Sequence, residues 1–154
     1  MLKRVISLVF LFLTICSVAW AGVGSHDAKF VGGTVTSIPE KTDGKASTTD
    51  DSFIFQYKDG KLTVPYQQIN ALEYGQKAGR RVGMAVAISP LFLLSKKRHH
   101  YLTVSFLDEN KKQQAAVFEL GKDAIKPTLT TLEAKTSAKV EYQDDEARKS
   151  AQGK

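Results

Sequence analysis

The chain has 154 residues, with 22 Lys and Arg against 16 Asp and Glu, three histidines and a net charge of +6. It contains one cysteine, Cys16, and that residue lies inside an N-terminal apolar run. Once that run is removed, no disulfide, thiolate metal site or cysteine nucleophile can be built, and the excess charge is too mild to define a class of partner.

Lys3 and Arg4 begin the chain, residues 5–19 are almost wholly apolar, and Ala19-Trp20-Ala21 places small residues where a signal peptidase requires them. This predicts a signal peptide over residues 1–21, cleaved before Gly22. The apolar run falls short of the roughly 20 residues that span a bilayer. Ile15 before Cys16 also differs from the small residue that usually precedes a lipid-attachment cysteine. Cleavage leaves 133 residues with a net charge of +4. The expected location is therefore periplasmic or secreted, with no disulfide-linked partner.

From Lys29 the signals are those of strands. Phe30-Val31 lead through Gly32-Gly33 into Thr34-Val35-Thr36, and the paired glycines mark a bulge or a close backbone approach. Residues 39–51 are polar and read as a loop. Phe53, Phe55 and Tyr57 alternate with Ile54 and Gln56, Asp59-Gly60 favours a hairpin turn, and Leu62, Val64 and Tyr66 continue on the return. Ile69, Leu72 and Tyr74 form a further short apolar stretch. His100, Leu102, Val104 and Phe106 alternate against Tyr101, Thr103, Ser105 and Leu107; a polar turn over 108–112 returns the chain through Val117, Phe118 and Leu120. Asp123 can cap a helix near 122–135, in which Ile125, Leu129 and Leu132 recur at helical spacing and Pro127 fits a first turn. Residues 141–154 are charged and read as a disordered tail. The fold class expected is α+β, mainly antiparallel β, with one C-terminal helix closing a curved sheet.

Phe53-Ile-Phe-Gln-Tyr, Leu62-Thr-Val-Pro-Tyr-Gln-Gln-Ile69, Tyr101-Leu-Thr-Val-Ser-Phe106 and a helix after Phe118-Glu-Leu120 together resemble bacterial pleckstrin-homology-like (PH-like) domains. The resemblance implies one domain over residues 22–140, a partly open barrel plugged by its helix, and binding of lipid, peptide or protein without catalysis. Phosphoinositide-binding members carry clustered cations around the first hairpin. Here Lys41 and Lys45 are diluted by Glu40, Asp43, Asp50 and Asp51, which departs from that pattern.

Between Glu73 and Asp108 there is no acidic residue, yet Lys77, Arg80, Arg81, Lys96, Lys97 and Arg98 fall there. That window carries +6, so the rest of the cleaved chain sums to −2. The cations bracket an apolar run over 82–94. As a strand it has a bulky face of Val82, Met84, Val86 and Ile88; as a helix it aligns Gly79, Gly83 and Ala87. A helix of that length reaches about 20 Å, against a hydrocarbon core of about 30 Å. The run reads either as a buried strand with cationic ends or as a surface element that seats on an anionic membrane or an envelope protein. No specific nucleic-acid module is present.

His99-His100 have no carboxylate or cysteine nearby in sequence, and adjacent strand residues point to opposite faces. No metal, cofactor or catalytic set is expected. The reading is an exported, non-enzymatic binding or scaffolding module that uses Lys77, Arg80, Arg81, Lys96, Lys97, Arg98, His99 and His100. The alternatives are a small hydrolase pairing His99 or His100 with Ser89 or Ser105, and a structural envelope protein without a discrete ligand.

Overall fold

The computed structural model describes residues 23–76 and 99–153. The expected signal peptide and the segment 77–98 lie outside the described residues.

Among the described residues eight strands form one sheet: β1 (Val23–Gly33), β2 (Thr42–Thr48), β3 (Ser52–Tyr57), β4 (Gly60–Pro65), β5 (Ile69–Gly75), β6 (His100–Leu107), β7 (Gln113–Leu120) and β8 (Val140–Tyr142). Their spatial order is β4-β3-β2-β1-β7-β6-β5-β8. Two meanders, β1 to β4 and β5 to β7, are joined by antiparallel pairing of β1 with β7. Among the described strands only β8 runs parallel to its neighbour, β5. Helix α1 (Lys122–Lys135) follows β7, and α2 (Asp145–Gln152) follows β8. The architecture is α+β, a mostly antiparallel open sheet with two C-terminal helices. Among the described residues no helix is long and apolar enough to cross a membrane.

Strand alternation builds the core. Phe30 of β1, Phe53 and Phe55 of β3, and Phe118 of β7 are essentially fully buried on one face. The Phe118 ring centroid lies 5.1 Å from Phe55, 5.3 Å from Phe53 and 5.8 Å from Phe30. Ile125, Leu129 and Leu132 of α1 join the same cluster, as do Ala147 and Ala151 of α2. Amphipathic spacing in α1 thus becomes burial of about 2 kcal/mol for each large aliphatic side chain. The opposite face also carries buried side chains, Val31, Tyr101, Thr103, Ala115 and Val117, none of which belongs to that cluster.

The glycine pair does mark a bulge. The β1–β7 register shifts between Phe30 and Gly32. Gly33 has φ 151°, and a Cβ there would run into the Ala115 carbonyl oxygen. That oxygen accepts a hydrogen bond from the Thr34 N–H at 2.9 Å. Strands β6 and β7 form the expected hairpin, whose turn is tied by the Asp108 carboxylate accepting from the Asn110 and Lys112 amides at 2.9 Å.

Five expectations need correction. Residues 42–48 are strand β2 and not part of a loop. The strand turns Ala46 and Thr48 inward, and a Cβ at Gly44 would strike the Phe55 ring and the Gln56 carbonyl. Small residues are therefore required beneath the phenylalanines, and they leave no hydrophobic signature. The same β1–β2 pairing sets His26 opposite Ala46. The turn between β3 and β4 is centred on Lys58 and Asp59, because Tyr57 pairs with Gly60 and none of these residues has positive φ. Gly60 thus occupies the last turn position, where glycine is also favoured.

Helix α1 begins at Lys122 with Gly121 as its N-cap, so Asp123 is a first-turn residue and not the cap. Pro127 is the sixth helical residue, beyond the amides that lack intrahelical partners. Finally, the expected disordered tail is strand and helix. The Asp144 carboxylate caps α2 by accepting from the Ala147 N–H at 2.7 Å, and Gly153 closes it with φ 74°. Asp145 and Glu146 in its first turn and Lys149 in its last complement the helix dipole. The helix buries only alanines, so its amphipathic signal in sequence is faint.

Candidate functional site

Gly75 ends β5 and His100 begins β6, and the two strands are adjacent and antiparallel with Gly75 opposite Tyr101. The 24 residues between them therefore leave and return at one end of the sheet. Lys77, Arg80, Arg81, Lys96, Lys97 and Arg98 lie outside the described residues. His99, His100 and the residues around the two roots of the excursion are described.

The histidines point to opposite faces, as strand geometry dictates. His99 Nδ1 lies 2.7 Å from Glu119 Oε1, each side chain partly exposed, and the His99 ring sits 6.0 Å from Tyr101. No carboxylate lies near His99 in sequence, but the β6–β7 register places Glu119, twenty residues away, opposite Tyr101 and next to His99. On the other face, His100 Nδ1 is 2.6 Å from the Tyr74 hydroxyl, and the two rings stack 13° from parallel.

Tyr74 is fully buried, and Ser150 of α2 stands beside its hydroxyl. Gln76 Nε2 donates to Ser150 Oγ at 3.1 Å. The C-terminal unit is further joined here by the Gln143 N–H donating to the Tyr74 carbonyl at 3.0 Å. Arg148 lies over the Tyr142 ring, 5.5 Å from its centroid.

These surroundings shift several protonation equilibria. Burial pulls His100 below its ordinary value, with the Lys122 and His99 charges acting in the same direction and Glu119 opposing them. Burial, reinforced by Glu119, pushes Tyr101 up to about 12. Tyr74 is raised by burial, which the Ser150 hydroxyl beside it partly offsets.

At the same end of the sheet lies an open depression of about 380 Å³, lined by Asp27, Lys29, Asp43, Gly44, Glu119 and Gly121 among others. Lys29 and Asp43 are paired within it at 3.2 Å. Among the described residues no three His, Cys, Asp or Glu gather as a metal site would require. Ser105 stands five residues along β6 from His100, about 17 Å away at strand rise, and does not meet either histidine. Ser89 lies outside the described residues.

The sequence reading missed Tyr74, Gln76, Glu119 and Ser150 as site residues. Fixing the turn over 108–112 and counting back along the hairpin would have paired Glu119 with the histidine region. Nothing in sequence signals Ser150, because its approach depends on the C-terminal helix. Family models give no match to this chain, and neither do the curated proteins.

Proposed function

We propose that this chain is an exported, non-enzymatic binding module of the cell envelope, of PH-like architecture, which engages an anionic membrane surface through the excursion between β5 and β6. One observation carries the reading. Adjacent antiparallel strands need only about two to five connecting residues, whereas 24 residues are inserted here. They include all six cations of a window without acidic residues. An insertion of that size is unnecessary for the topology, and its basic-apolar-basic order matches the chemistry of an interfacial anchor.

The two histidines are engaged on opposite faces with Glu119 and Tyr74, an arrangement that supports binding over hydrolysis. The meander of four strands, the meander of three and the helix after β7 support the PH-like reading, to which β8 and α2 are additions. Co-sedimentation with phosphatidylglycerol vesicles, against phosphatidylcholine vesicles, tests the function. The chain is expected to pellet with the former at low ionic strength, and its remaining in the supernatant with both removes the reading.

A second reading has its own observation. Val31, Tyr101, Thr103, Ala115 and Val117 are buried outside the core cluster, and an apolar run packed on that face would be a structural element of the domain.

A further inference from the structure

The outer face of the sheet, turned away from the aromatic cluster, is covered in one region and open elsewhere. Val31 of β1 and Ala115 of β7 are 0% exposed there, and Val117 is 1% exposed. Along β6 the same face is buried at Tyr101 and Thr103, half-buried at Ser105 and exposed at Leu107. Cover is therefore greatest beside the root of the β5–β6 excursion and fades away from it. Along β1 this face is exposed at Ser25 and Asp27, so the cover does not run back toward residue 22. In the first meander it is half-buried at Ile54 and exposed at Gln56 and Thr63.

No described helix supplies that cover. The buried apolar side chains of α1 and α2 all belong to the inner cluster, and strand pairing alone leaves the second face of an antiparallel sheet to water. We propose that in the free chain the apolar run 82–94 seats on this outer face, over Val31, Val117 and Thr103. The proposal rests on the second reading above and names the seat of the run. It leaves the flanking cations to an anionic surface.

Size, reach and charge agree with that occupant. From Tyr101 to Ser105 the covered face extends about 13 Å along β6, and three strands span about 10 Å across it. The run reaches about 20 Å as a helix about 10 Å wide. Residues 77–81 and 95–98 can each extend about 13 to 18 Å, enough to bring both ends of the run onto the face from Gln76 and His99. Glu73 lies opposite Thr103 and Glu119 opposite Tyr101, so two carboxylates stand on this face beside the apolar patch. An apolar run with cations at both ends complements such a surface.

No cysteine follows Cys16, so in a chain beginning at Gly22 the substitution Val117→Cys introduces a single thiol. Its rate of reaction with a soluble aromatic disulfide is measured under native conditions in three chains. These are the full-length chain, one with residues 77–99 replaced by Asn-Gly, and one with residues 82–94 exchanged for alternating Gly and Ser. The last keeps the length and all six cations. Labelling should be at least tenfold slower in the full-length chain than in either altered chain, while Leu107→Cys reacts equally fast in all three. Thr103→Cys gives the same comparison should Val117→Cys not fold. Equal rates overturn the proposal: all slow would mean that the sheet buries this face unaided, and all fast that the leader covered it. No vesicle enters the measurement, so this seat and vesicle binding fail separately.

Discussion

Replacing Phe118 with Ala removes the side chain on which β1, β3 and β7 converge. Phe118 is fully buried and its ring contacts those of Phe30, Phe53 and Phe55 at 5.1 to 5.8 Å. Truncating a buried phenylalanine costs about 3–5 kcal/mol. Aromatic contacts of this geometry add about 0.5–1.5 kcal/mol each beyond the area buried. The three contacts share one ring and are not additive, so the upper part of the range, about 4–5 kcal/mol, is the expected loss. A domain of this size has about 5–15 kcal/mol in total. The variant should therefore be close to unfolding at room temperature. The only tryptophan, Trp20, belongs to the expected leader, so urea unfolding is followed by far-ultraviolet circular dichroism. The midpoint should fall steeply with the slope unchanged. Leu107→Ala is the control, because that side chain is exposed and its loss should shift stability by less than about 0.5 kcal/mol. A Phe118→Ala loss below about 1 kcal/mol, or one equal to the control, refutes the idea that the sheet is held by this aromatic cluster.

Gly33→Ala should destabilise through collision of the new Cβ with the Ala115 carbonyl at the bulge, seen as a lower thermal midpoint; an unchanged midpoint contradicts the close approach. Asp144→Ala removes the cap of α2 and should cost about 1 kcal/mol, detected as faster exchange confined to the C-terminal helix. Tyr101 ionises at about 12 in the folded chain against an ordinary 10.0. The unfolded chain loses that proton first, so stability should fall as pH rises from about 10 and level off near 12, and Tyr101→Phe should flatten that stretch of the profile.

The large alternating side chains made most of the fold legible. Phe53, Phe55, Leu102, Val104 and Phe118 report their strands because burying them on one face requires period-two spacing. Strand β2 was hidden for the opposite reason, since Gly44, Ala46 and Thr48 face the core where only small groups fit beneath Phe55. Helix α2 was hidden because its buried face is Ala147 and Ala151, and its charged composition resembles that of a disordered tail. At the candidate site, the opposed directions of His99 and His100 followed from strand geometry alone. Their partners did not: Glu119 comes from the hairpin register, and Ser150 from a helix that docks only through tertiary contacts.

The central claim is that the β5–β6 excursion is a binding element added to a sheet that does not need it. Gln76 would be the next residue opposite His100, so residues 77–99 can be replaced by Asn-Gly, which closes a two-residue hairpin. The shortened chain is compared with the full chain by circular dichroism, thermal unfolding and sedimentation with phosphatidylglycerol vesicles. At about 1 kcal/mol for each basic residue near an anionic surface, losing six cations should weaken binding by a factor on the order of a thousand or more. The account predicts a cooperative, natively folded chain that stays in the supernatant. A shortened chain that still sediments with the vesicles, or one that no longer folds, contradicts it.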